Sequence, residues 1–297
     1  MKAPVDVLLP YYGDVDFMKK AVESILKQSF TSWRLLVFDD GFPSDEPKKF
    51  FASIDDDRVF YSRNDQNLGA NGNYSKALDF AEAQFFIMMG ADDIMHVDYL
   101  SNALEAIGDA DFYQPSVNVI DEFDRSYLPL VDRIKRKLMP YAKSGEDYGE
   151  CSIYQGEEIS SSLVRGNWLY FPSILWRTAS AQQHGFNKKY EVVQDLCLAL
   201  DILTAGGSMV VDKRTSFSYR RHSKSDSSVR AVDARRFKEE KCFFDELANN
   251  YEQNGWHKAA RSARRHAFSR LNALSIIPKS LYTKGGRPLD LLNYAVK

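Results

Sequence analysis

The chain lacks what several large protein classes require. It has three cysteines in 297 residues, Cys151, Cys197 and Cys242, far apart and without a C-x-x-C spacing. That argues against a disulfide framework or a structural zinc site, and the thiols read as incidental ones of a reducing cytoplasm. No window approaches the ~18 apolar residues of a membrane span. The opening "MKAPVDVLLPYYGD" has one lysine, a brief apolar run and no small-residue cleavage site, so it reads as a first strand rather than a signal peptide. Net charge is only −2, so no whole-chain field draws the protein to nucleic acid. No G-x-G-x-x-G follows the first strand and no G-x-x-x-x-G-K-[ST] occurs, against a Rossmann dehydrogenase and a P-loop kinase. "LLPYYGDVD" is not the glycine-rich, arginine-containing phosphate loop that a sugar-phosphate nucleotidyltransferase would show.

What is present is an ordinary soluble composition, 44% apolar and 27% charged, in a chain long enough for a large core. Over the first 120 residues, short apolar runs alternate with stretches of helical period. "VDVLLPYY", "WRLLVFDDG", "RVFYSRN", "QFFIMMG" and "ADFYQPSVNVID" read as strands. "DVDFMKKAVESILKQ", "SDEPKKFFASI", "GANGNYSKALDFAEA" and "HVDYLSNALEAIG" read as helices, the first capped by Asp14 or Asp16. Strands separated by helices imply parallel βαβ units, and near-continuous apolar runs imply strands covered on both faces. Ligands of such sheets lie beyond the carboxyl ends of the strands.

Acids stand at those ends. Asp39 and Asp40 close one strand; Asp92 and Asp93 follow another after Gly90, which permits close backbone approach. Asp195 opens the helix of "VVQDLCLALDILTAGG", and His222 follows the strand in "SMVVDKRTSFSYRRHSKSDSS". Neighbouring carboxylates repel, and a dication bound with substrate phosphates would offset that repulsion. One or two aspartates with a diphosphate suit Mg²⁺, and an added imidazole favours Mn²⁺. Residues 121–165 mix charges, prolines and tyrosines and read as an excursion with a short helix at "LVDRIKRKLM". From residue 231 the chain reads as helical, with 13 Lys and Arg against 7 Asp and Glu. That extension reads either as a surface for an anionic membrane or as helices packed on the catalytic part or on a second subunit in a homodimer.

These blocks, in this order and over about residues 5–228, resemble glycosyltransferase family 2, whose members are inverting, nucleotide-sugar-dependent enzymes of the GT-A fold. The resemblance is carried by "DVLLPYYGDVDFMKKAVESILKQSFTSWRLLVFDDGFPSD", "NLGANGNYSKALDFAEAQFFIMMGADDIM", "VQDLCLALDILTAGG" and "YRRHSKSDSS". It implies an α/β catalytic domain over 1–230 with a mixed, mostly parallel sheet. The nucleotide-sugar half would be 1–120 and the acceptor-side half 121–230, before a helical extension at 231–297. It implies that Pro10, Tyr11 and Tyr12 wall the nucleotide pocket and that Asp40 accepts a hydrogen bond from uracil. Arg63, Asn67, Gly69 and Asn73 would line ribose and diphosphate, with Asp92 facing them. Asp93 would ligate Mn²⁺ or Mg²⁺, His222 would close over it, and Asp195 would be the catalytic base. The implied acceptor is a glycan or lipid-linked saccharide of a bacterial surface polysaccharide, met in the cytoplasm or at the inner face of the membrane. Asn167 and Trp168 are the expected acceptor contacts, ahead of an aromatic group (Tyr170, Phe171, Trp176) that reads equally as platform or core. The stretches 221–230 and 121–165 are the expected lids. Three departures stand out: family members often carry an acid where Gly90 stands, a Glu where Gln194 precedes the base, and Gly-Ser in place of the "GFPSD" turn.

Overall fold

The computed structural model describes residues 4–140, 150–222, 234–283 and 285–296. Its centre is one nine-stranded sheet. β1 (Val5–Tyr11), β2 (Trp33–Asp39), β3 (Val59–Arg63) and β4 (Phe85–Met88) are mutually parallel in the order β3-β2-β1-β4. The continuous apolar runs arise because both faces are covered: Leu8 and Phe86 enter one core, while Val7, Leu9 and Ile87 enter the other. The connecting helices are α1 (Val15–Leu26), α2 (Glu46–Ala52) and α3 (Gly69–Asp79). Asp14 caps α1, its carboxylate accepting from the amides of Asp16 and Phe17.

Beyond β4 the sheet becomes mixed. β5 (Ile94–Met95), α4 (Tyr99–Ile107) and β6 (Phe112–Ile120) lead into the 121–165 excursion. That excursion is less of a detour than its composition suggests. It holds α5 (Leu130–Leu138), then β7 (Cys151–Gln155), which joins the sheet, and α6 (Gly156–Arg165). β8 (Leu175–Arg177) slips antiparallel between β4 and β6, so those two strands are not neighbours. α7 (Thr178–His184) and α8 (Gln194–Thr204) precede β9 (Ser208–Arg220), a single long strand. β9 runs parallel to β6 and antiparallel to both β5 and β7.

The C-terminal extension holds α9 (Arg235–Gln253), α10 (His257–Arg265), α11 (Ala267–Tyr282) and α12 (Pro288–Val296). The first helices of the extension pack into the main core. Phe243, Leu247 and Tyr251 of α9 and Ala259, Ala260 and Ala263 of α10 share one core with Leu8, Trp176 and Leu200. α11 and α12 instead share a small core of their own with the start of α9. His266 is buried and stacks flat on Phe244 of the main core, and burial lowers its pKa. Among the described residues no helix is long and apolar enough to cross a membrane.

Candidate active site

A cleft of about 1160 Å³ opens at the carboxyl ends of β1, β2 and β4. Pro10, Tyr11, Tyr12, Asp40, Asn67, Gly69, Asn73, Asp92, Asp93, Asp195 and His222 all line it. Four acids spread over 155 positions of sequence therefore meet in one concavity, as the ligand-site rule for open α/β sheets requires.

At the end of β2 the two acids divide the work. Asp39 is fully buried and holds the turn: its carboxylate accepts from the Phe42 amide at 2.7 Å and the Tyr61 hydroxyl at 2.5 Å. Asp40 turns to the cleft. Its Oδ1 accepts from Asn64 Nδ2 and the Leu68 amide, both at 2.8 Å. Asn64 in turn donates to Asn73 Oδ1 and accepts from Lys76 Nζ, while Asn73 donates to the Phe38 carbonyl. Asn64 is a site residue the sequence reading missed. Its signal was its place one residue past β3, opposite the end of β2.

The strand that runs into acids is explained by β9. Gly90 O accepts from the Asp93 amide, closing a tight turn, and the chain then pairs at once with β9, Ile94 opposite Ser218. This register brings the end of β9 beside the acids. The Arg220 amide donates to Asp93 Oδ1 at 2.8 Å, and Arg220 Nε donates to the Asp92 carbonyl at 2.7 Å. The guanidinium of Arg220 is itself buried, over the Phe17 ring and paired with Asp124. Two residues on, His222 Nε2 lies 2.9 Å from Asp92 Oδ2. A Cβ at position 90 would collide with Asp93 Oδ2, so glycine is what lets that carboxylate fold back against the strand end.

Asp93 Oδ2 is buried with no hydrogen-bond donor, and burial, with Asp92 second, pushes the Asp93 pKa well above the usual carboxylate range. An undonated carboxylate oxygen beside a second carboxylate and an imidazole fits a hard divalent cation. Among the described residues no three or more His, Cys, Asp or Glu side chains gather as a metal cage. The donor set therefore suits Mg²⁺ or Mn²⁺ held by one or two carboxylates together with substrate phosphates, not an all-protein site.

Asp195 sits across the cleft in the first turn of α8. Its Oδ1 accepts from the Leu196 amide at 2.7 Å. Burial raises its pKa, opposed by that amide and by the cations of Lys135 and Arg236. Lys135, on α5, lies over the Tyr170 ring and donates to the Leu169 carbonyl. Burial, with Arg221 second, pulls its pKa down to about 8. The segment before α8 is clamped from α9, where Glu239 Oε1 accepts from the amides of Val192 and Val193 at 2.6 and 3.0 Å. Gln194, the departure beside the expected base, is buried with its Oε1 undonated and lines the cleft.

Three expected contacts stand elsewhere. Trp168 is fully buried and donates to Ser162 Oγ, because its ring fills the core under α6. Asn167 turns its Oδ1 back to the Leu169 amide and does not line the cleft. Of the aromatic group, Tyr170 and Trp176 are core and Phe171 alone reaches the cleft wall. Arg63 also lies aside, donating to Asp45 Oδ1 and the Phe42 carbonyl, so it braces the 42–45 turn rather than lining the pocket. Phe17, Phe42, Tyr74, Glu122 and Phe123 also line the cleft. Of the expected lids, residues 223–230 and 141–149 lie outside the described residues.

A nucleotide-sized cleft at strand ends, with acids on both sides and a cation-suited carboxylate, is the arrangement of a GT-A glycosyltransferase site. Residues 6–157 match the Glycosyl transferase family 2 profile, and the chain belongs to that family. It is 31% identical over 101 residues to the UDP-Glc:alpha-D-GlcNAc-diphosphoundecaprenol beta-1,3-glucosyltransferase WfgD of Escherichia coli, a stretch covering 34% of this chain and 38% of WfgD. The chain spans about a third of the length of the first curated relatives it matches. In fold it is similar to residues 1–349 of S. aureus TarS in complex with UDP-GlcNAc, with a TM-score of 0.69 at 16% identity, over 98% of this chain and 79% of that one. The mannosyltransferase PcManGT of Pyrobaculum calidifontis, in complex with GDP-Man and Mn²⁺, is similar with a TM-score of 0.65 at 12% identity, over 99% of this chain and 79% of that one. The central sheet flanked by helices, with helices at the C-terminus, is thus the GT-A architecture.

Proposed function

We propose that the chain is a metal-dependent, inverting glycosyltransferase that moves a sugar from a UDP-sugar to a hydroxyl of a glycan or lipid-linked acceptor. The setting is the synthesis of a bacterial surface polysaccharide, at the cytoplasmic face of the membrane. The observation that carries the reading is the meeting of Asp40, Asp92, Asp93 and Asp195 in one cleft. The named activity of WfgD, on a diphosphoundecaprenol-linked acceptor, supports a lipid-linked acceptor.

Each residue then has a task. Asp40, oriented by Asn64 and Leu68, accepts the imide N–H of the uracil ring. Asp92, held by His222, faces the ribose and diphosphate. Asp93, with the donor's phosphates, would hold Mg²⁺ or Mn²⁺, which neutralises charge on the departing diphosphate. Asp195 takes the proton of the acceptor hydroxyl, and that oxygen bonds to the anomeric carbon from the face opposite the leaving group. The anomeric C–O bond breaks, its electron pair leaving with the nucleoside diphosphate, and the configuration inverts. A positioned general base of this kind is worth about 10²–10⁴ in rate. Burial of Asp195 raises its basicity, and the cations of Lys135 and Arg236 keep it ionised.

A thermal-shift screen of nucleotide sugars with and without Mn²⁺ tests the reading. A ligand that binds only the native state at about 100 times its Kd stabilises it by about 2.7 kcal/mol. UDP-sugars with Mn²⁺ should raise Tm most. No shift with any nucleotide sugar would overturn the proposal.

A further inference from the structure

The C-terminal hairpin exposes what a soluble surface normally hides. α11 and α12 bury one side against α9: Ala273 and Leu291 pack with Ala234 and Phe237. On their other sides Leu271, Leu274 and Leu281 of α11 and Leu289, Leu292 and Val296 of α12 are exposed. Their spacings are i, i+3, i+10 and i, i+3, i+7, so each set is a stripe along one helix face. Leu281 is 62% exposed and Leu289 74%, and together with Tyr282, 92% exposed, they flank the connecting turn. Singly exposed leucines need no account, but ordered stripes on adjoining helices mark an interaction surface.

Charge selects the partner. Residues 257–297 carry nine Lys and Arg against one Asp, in a chain whose net charge is −2. Exposed Arg261 and Arg265 on α10 and Lys279 and Arg287 at the hairpin belong to this set. A second copy docking through the same surface would bring the same cations to the contact. An anionic bilayer supplies the opposite charge to the cations and an acyl boundary to the leucines. We infer that the α11–α12 hairpin is the surface by which this protein lies on an anionic phospholipid membrane.

The hairpin is joined to the acceptor side of the cleft. Tyr294 of α12 packs on Phe237 of α9, and its hydroxyl lies 2.5 Å from Ser269 Oγ, which donates to Glu240. Glu240 also accepts from Arg236, whose charge acts on Asp195, and Glu239 holds the Val192 and Val193 amides ahead of that base. A run of direct contacts through α9 therefore joins the hairpin to the segment that carries Asp195. The inference deepens the reading of a lipid-linked acceptor and rests on it only for its purpose, not for its residues.

The test is flotation of the full chain with vesicles of phosphatidylcholine alone or mixed with phosphatidylglycerol, with no donor present. Binding should require phosphatidylglycerol and weaken with salt. The double variant Leu281→Asp, Leu289→Asp should bind at least about tenfold more weakly. Its Tm and its transfer to a water-soluble acceptor should be those of the unmodified chain. Arg261→Ser with Arg265→Ser, at exposed positions, should reduce the preference for phosphatidylglycerol. Indifference of the unmodified chain to both vesicles, or undiminished binding by the aspartate variant, overturns the inference. So does a dimer in sedimentation velocity that the aspartate variant dissolves while the unmodified dimer ignores vesicles, which would give the stripes to a second copy. Flotation uses no donor, so its outcome is independent of whether the chain transfers sugar.

Discussion

The backbone amide of Arg220 donates to one oxygen of Asp93 at 2.8 Å, and the other oxygen of that carboxylate is buried with no donor at all. One strand end thus fixes the acid and leaves half of it for something else to satisfy. Without a cation, the raised Asp93 pKa means that the folded chain keeps a proton which the unfolded chain releases above the ordinary value of 3.8. Stability from this group is therefore lost as pH rises from there through the folded value.

Asp93→Asn should remove that loss. The ligand-free variant should melt no lower than the parent at neutral pH, and its Tm should vary less between pH 4 and 7. It should also lose the Mn²⁺-dependent part of the Tm shift produced by a UDP-sugar. Calorimetry across pH, with and without Mn²⁺ and donor, reads both effects. A variant that keeps the full Mn²⁺-dependent shift would remove Asp93 from the cation site.

Gly90→Ala places a methyl group against Asp93 Oδ2. The carboxylate must swing from its place, and moving a proposed ligand in this way should cost about 10–100-fold in metal affinity. Titration of Mn²⁺ in the presence of a UDP-sugar should show that loss with the circular dichroism spectrum unchanged. Unaltered affinity would mean that the turn at 90–93 has slack the geometry does not reveal.

Lys135→Met keeps an apolar stem over Tyr170 but removes a cation that lowers the Asp195 pKa. The base must be ionised to work, so the acidic limb of the kcat profile should move to higher pH in the variant. On the alkaline side of that limb, where Asp195 is ionised in both proteins, the two profiles should converge. An acidic limb that does not move would show that Lys135 does not act on the base.

The parallel half of the sheet was legible because burial on both faces forces near-continuous apolar strands, and the acids at their ends mark the ligand edge. Asp40, Asp92, Asp93, Asp195 and His222 stand in one cleft because β2, β4, α8 and β9 each end or begin there. What stayed hidden depends on tertiary neighbours. β8 falls in the buried run "GNWLYFPSILWRTASAQQHGF", which reads as strand and helix, but at three residues it carries no sign of its antiparallel place beside β4. Trp168 and Asn167 look like acceptor contacts by composition, yet Trp168 fills the core and Asn167 folds onto its own turn. Arg63 looks like a phosphate ligand, but Asp45 lies nearer. The cationic tail reads from its composition either as a membrane surface or as helices packed on the catalytic part or on a second subunit, because charge alone does not show which faces turn inward. The inward faces of α9 and α10, Phe243 and Tyr251 with Ala259 and Ala263, complete the main core. Asn64 passed unnoticed because an asparagine after a strand is ordinary until Asp40 is seen to depend on it.

The most direct test is Asp195→Asn, assayed for transfer and, separately, for donor binding by calorimetry. The substitution keeps size and the contact with the Leu196 amide while abolishing the base. Turnover should fall by about 10²–10⁴, with the Kd for UDP-sugar within about twofold of the parent. Ordinary turnover in the variant would contradict the assignment of Asp195, and with it the account of how this cleft works.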